Sequence, residues 1–151
     1  MVRIVVLVAL LAVATVGGLI WQSRNGRVRP AKATPPPEAS EAQSEFASVW
    51  SSIGVEPADA TVTLVQFSSA FCAPCRATRR VLDDVVTLLP EVRHVEVDAE
   101  SHLAVVRALE VRSTPTTLLV DRSGRVAGRA VGAPRKIDVL AALGPLLAGS
   151  E

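Results

Sequence analysis

Tyrosine is absent from the 151 residues, and cysteine and histidine occur only twice each. Two cysteines exclude the densely cross-linked scaffold of a small secreted domain, which needs several bridges. The two histidines, His94 and His102, are not spaced three to five residues apart, so they do not complete a zinc pattern with the cysteines. No basic stripe with interleaved aromatics runs through the chain, and nucleic acid is not an expected partner. Internal repeats are lacking. Acidic side chains are missing from residues 1–32, which hold five basic ones; the remainder carries 11 basic against 15 acidic groups and is mildly acidic at −4.

What is there begins with Ile4 to Trp21, an 18-residue run without a charge. At about 1.5 Å per residue it just reaches across a bilayer core. The expectation is a single-pass membrane anchor over 1–21. Its rival is a cleavable signal peptide cut near Ala12-Val13-Ala14, but the apolar run continues past that site through Leu19, Ile20 and Trp21. Arg24, Arg27, Arg29 and Lys32 follow the run and only Arg3 precedes it, which places the C-terminal part in the cytoplasm by the positive-inside rule. Residues 22–40, with Pro30, Pro35, Pro36 and Pro37, have too few apolar groups for a core and read as a flexible linker.

A folded domain is expected over 41–148. Apolar residues at Ala42, Phe46, Val49, Trp50 and Ile53 recur at helical spacing, with Ser40 as the cap. Thr61 to Phe67 is β-branched and reads as a central strand. A helix follows from Ala73 to Leu89, with Val81, Leu82, Val85, Leu88 and Leu89 as its core face and Pro90 at its end. Arg93 to Val97 alternates as a strand, and Ser101 to Leu109 reads as a short helix. Thr116 to Val120 and Arg125 to Val131 form a hairpin around Asp121-Arg122-Ser123-Gly124, and a last helix runs from Pro134 through Leu143. This order makes one mixed α/β sheet with helices on both faces.

The two cysteines stand together as Cys72-Ala73-Pro74-Cys75, where the central strand meets its helix. A helix N-terminus offers unpaired N–H groups and the positive end of the dipole, so a thiol there is favoured as the thiolate that attacks disulfides. A second cysteine one turn on is placed to resolve the mixed disulfide. Pro74 fits a first turn, where no backbone donor is needed. Arg76 stands where haem attachment requires histidine, which excludes that use. The competing class is a metal-binding or metallochaperone module holding its ion through the two thiolates; a third is a tethered binding domain that keeps the fold without turnover.

Order and motif together make the chain resemble the thioredoxin family, whose aromatic-Cys-Gly-Pro-Cys pattern is matched by Phe71-Cys72-Ala73-Pro74-Cys75. A second mark, a hydroxyl or branched residue followed by proline just before the hairpin, is matched by Thr114-Pro115. The resemblance implies a cis Pro115 lying against the disulfide and a Thr114 backbone that pairs with an extended substrate. It implies a protein-disulfide reductase with no cofactor beyond the redox-active Cys72–Cys75 pair, acting on protein disulfides and reduced in turn by an electron-donating reductase. If the domain faced outside, it would work as a thiol oxidant or isomerase. The family often carries a buried Asp six residues before the first cysteine; that position is Gln66, which is no general base. The place of the basic partner of that Asp falls on His94.

Overall fold

The computed structural model describes residues 2–24, 27–30 and 47–149. Helix α1 (Val2–Arg24) comes first, then strand β1 (Val28–Pro30), helical turns α2 (47–52) and a 3₁₀ turn (Pro57–Asp59). Then follow β2 (Val62–Ser68), α3 (Ala73–Leu88), β3 (Val92–Asp98), α4 (Leu103–Ala108), β4 (Thr116–Asp121), β5 (Val126–Val131) and α5 (Lys136–Ala148).

The five strands form one sheet in the order β1-β5-β4-β2-β3. β2 pairs in parallel with β3 and antiparallel with β4, which closes both its edges; core clusters cover both its faces, and every one of its seven residues is buried. Alternation along β2 divides the core. Val65 and Phe67 pack with Trp50, Val105, Leu109, Leu118 and Val120 beneath α2 and α4. Val62 and Leu64 pack with Leu82, Val85, Leu119, Val139 and Leu143 beneath α3 and α5. The side chain of Gln66 falls on this second face by the same period of two.

Trp50 is fully buried, and its indole Nε1 donates to Gly124 O at 2.7 Å, tying α2 to the β4–β5 turn. Gly124 has φ +83, and a Cβ there would stand 3.2 Å from Trp50 Cδ1, so the turn needs glycine for both reasons. Asp121 completes the turn by accepting from Ser123 N, Ser123 Oγ and Arg125 N.

Several expectations are corrected. Among the described residues no helix is long and apolar enough to cross a membrane, so the anchor expected over 1–21 is not supported. The described side chains of α1, over 3–18, are exposed. Within the expected linker, Val28–Pro30 adds an edge strand to β5, pairing Val28 with Ala130 and Pro30 with Gly128. Proline is tolerated there because an edge strand has a side that donates no ladder bond. Leu88, assigned to the core face of α3, is exposed at 56%, whereas the buried stripe is Cys75, Thr78, Leu82 and Val85. The last helix does not stop at Leu143 but continues through Gly144 and Pro145 to Ala148. The Ser40 cap, Phe46 and the proline run at 35–37 lie outside the described residues.

Candidate active site

β2 ends at Ser68, and four residues later α3 opens on the cysteines. Cys72 is the N-cap of α3, with extended backbone (φ −97, ψ 97), and its Sγ accepts from Cys75 N at 3.1 Å. A side chain at this position meets the unpaired N–H groups of the first turn and the positive end of a 16-residue helix. Ala73 and Pro74 occupy the first helical positions, where the missing donor of proline costs nothing. Cys75, three residues on, faces the sheet. The two are joined as a disulfide with Cα atoms 5.2 Å apart.

Exposure separates the sulfur-bearing residues. Cys72 is half-buried at the surface, whereas Cys75 is 2% exposed beneath it. A visiting sulfur therefore reaches Cys72 and not Cys75. Phe71, just before the motif, is fully exposed at 101%, an apolar ring beside the reactive pair with nothing covering it.

The peptide bond before Pro115 is cis, as the resemblance implied. Pro115 is buried, Thr114 half-buried, and Thr114 Oγ1 lies 3.2 Å from Ser69 Oγ, which joins the two loops at this end of the sheet. Gly132 N donates to Pro115 O at 2.8 Å and Thr116 Oγ1 to Ser113 O at 2.7 Å, so the proline loop is held from both sides.

Gln66 lies beneath the first turn of α3. Its Nε2 is 3.0 Å from Cys75 O, 2.7 Å from Ser68 Oγ and 3.2 Å from Glu96 Oε1. Glu96 is the β3 residue in register with Gln66, and Arg79 of α3 forms an ion pair with it. The place expected for His94 is thus taken by an acid. His94 is in register with Leu64, its Nδ1 is 2.9 Å from Asp83 Oδ1, and its Nε2 is buried without a partner among the described residues. Counting from the motif missed Glu96 because nothing in either strand reveals how β2 and β3 align. Of the arginines behind the motif, Arg79 has this specific partner. Among the described residues no group of three or more His, Cys, Asp or Glu is placed to hold a metal ion.

A family model described as Thioredoxin matches residues 43–143. The chain is similar to Thioredoxin H2-1 of Oryza sativa subsp. japonica, 30% identical over 74 residues, which are 49% of this chain and 53% of that protein. It is also similar to Thioredoxin-2 of Pyricularia oryzae, 33% identical over 78 residues, 51% of this chain and 45% of that one. The chain thus spans about half the length of these relatives. Among solved structures, chloroplastic thioredoxin z superposes with a TM-score of 0.55 at 21% identity, covering 75% of this chain and 93% of that one. Mitochondrial thioredoxin 3 from Saccharomyces cerevisiae, in oxidised form, does so at 0.50 and 20% identity, covering 68% and 84%. These likenesses establish the fold, and with the matched family model they close the question of kinship: the chain belongs to the thioredoxin family.

Proposed function

We propose that the domain is a thiol–disulfide oxidoreductase working as a protein-disulfide reductase. The observation that carries this reading is the unequal placement of the two sulfurs, with Cys72 at the surface and at the positive end of α3 and Cys75 buried one turn below. In the reduced protein the Cys72 thiolate attacks a substrate disulfide, forming a Cys72–substrate bond and expelling the other substrate sulfur as a thiolate. Cys75 then attacks Cys72 Sγ, closing the intramolecular disulfide and releasing the second substrate thiol. A dithiol donor, a reductase by class, returns two electrons to the Cys72–Cys75 pair.

Phe71 supplies apolar surface beside the attacking sulfur, and the Thr114–Pro115 loop offers the edge along which an extended chain lies, a contact that reads shape more than sequence. Ala73 and Pro74 hold the turn between the sulfurs in helical form. The domain is read as acting where a reducing thiol pool supplies its electrons.

Two measurements test this. The reduced protein should cleave the disulfides of insulin, and Cys75→Ser, which cannot resolve, should accumulate substrates covalently joined through Cys72. A wild-type dithiol inert toward insulin, together with a Cys75→Ser protein that traps nothing, would remove the proposal.

A further inference from the structure

Cys75 is 2% exposed and must release a proton whenever it resolves a mixed disulfide. The hydrogen-bonded path leading away from its first helical turn runs through Gln66 to Glu96. Gln66 Nε2 faces three acceptors: Cys75 O, Ser68 Oγ and Glu96 Oε1. Turning the amide over would set its oxygen against a carbonyl and a carboxylate, so Glu96 and the α3 backbone fix which way it points. Its Oε1 is buried and has no partner among the described residues. A buried amide oxygen in that condition is costly unless some state of the protein supplies a donor.

We propose that Glu96, paired with Arg79, is a positioning residue that sets the proton affinity of Cys75: it pins the Gln66 amide so that Oε1 accepts from the Cys75 thiol once the disulfide opens. This rests on the dithiol exchange proposed above. A hydrogen bond given by the neutral thiol disfavours the thiolate, and so does a carboxylate beyond the amide. Cys72, at the helix N-cap, is biased the other way. The two sulfurs are thereby kept in different protonation states, with the anion on the one that meets substrate.

During resolution the Cys75 S–H bond breaks, the Cys75–Cys72 sulfur bond forms and the bond from Cys72 to the substrate sulfur breaks. The electron pair of that last bond leaves with the substrate sulfur, which takes up the proton.

Glu96 lies on β3, an edge strand whose neighbours include β2 in the sheet and α3 above it. Arg79 of α3 pairs with it and Gln66 of β2 donates to it, with His94 and Asp98 two residues to either side along β3 and Asp83 of α3 beside His94. His94 and Asp83 are engaged with each other, and Asp98 with Ser101.

The test is the ionisation of Cys75 in the reduced full-length Cys72→Ser protein, followed by thiolate absorbance near 240 nm against pH. Adding Glu96→Gln should move the midpoint about one pH unit lower, an approximately tenfold rise in the thiolate-to-thiol ratio. Glu96→Asp, which keeps the charge, should stay close to the parent. Arg79→Met removes the cation at a half-exposed position and should move the midpoint upward. In a Cys75→Ser background the Cys72 midpoint should shift much less with Glu96→Gln. An unmoved Cys75 midpoint in Glu96→Gln, a shift in the same direction for Arg79→Met, or an equal shift at Cys72 overturns the inference. These titrations use no substrate, so their outcome is separate from whether the dithiol reduces insulin.

Discussion

Replacing Trp50 with Phe removes one hydrogen bond and part of one ring from the core that joins α2 to the sheet. The indole is fully buried, and its Nε1 is 2.7 Å from Gly124 O, which is itself buried. Phe leaves that carbonyl without its donor, a loss of about 1–3 kcal/mol. The smaller ring leaves a void on the order of 40 Å³ among Val65, Phe67 and Val120, adding about 1 kcal/mol. The sum is about 2–4 kcal/mol. Urea unfolding followed by far-UV circular dichroism measures it: with a slope of about 2 kcal/mol per molar, the midpoint should fall by roughly 1–2 M at unchanged slope. Disulfide exchange in the folded protein should not change, because the turn lies at the opposite end of β2 from the cysteines, where Val62 is in register with Asp121. A loss under about 1 kcal/mol would refute the claim that the indole bond is what fastens α2.

Phe71→Ala should leave the urea midpoint unchanged, since the ring touches solvent only, and lower kcat/KM toward apolar protein disulfides by about tenfold, the worth of roughly 1.4 kcal/mol of ring burial in the complex. Asp121 gives a pH dependence. Burial pushes its carboxyl up, but the hydrogen bonds from Ser123 and Arg125 and the charge of Arg125 outweigh that and hold it below the usual carboxylate range. Its folded pKa is therefore depressed, so its contribution is complete above about pH 4 and is lost as the pH falls through the lower folded value. Asp121→Asn should cost on the order of 1–2 kcal/mol at neutral pH and flatten the fall in stability below about pH 4, read from urea midpoints taken between pH 2.5 and 7. An acid limb as steep as the parent's would contradict it.

The reactive pair was legible in the sequence because its signal is local: two cysteines a turn apart, a β-branched strand before them, a proline suited to a first turn. The hairpin was legible for the same reason, through Asp121 and Gly124. What was hidden depends on pairing between distant strands. Gln66 and Glu96 are thirty residues apart, and only the register of β2 against β3 shows that an acid rather than His94 stands across from the amide. Val28–Pro30 carries no strand signature of its own, being three residues with a proline, and forms only because β5 presents an unpaired edge. Leu88 is apolar but off the buried stripe of α3: the line through Cys75, Thr78, Leu82 and Val85 continues to Leu89, which packs in the core, and Leu88 lies about 100° round the helix from it. Helix α5 runs through Pro145 to Ala148, past the expected end at Leu143.

The central claim is that one sulfur is poised as an anion where α3 begins. The direct measurement is the pH titration of the Cys72 thiol in the reduced Cys75→Ser protein. The account predicts a midpoint below the value of about 8.5 of a free cysteine. A midpoint at or above that value would contradict it.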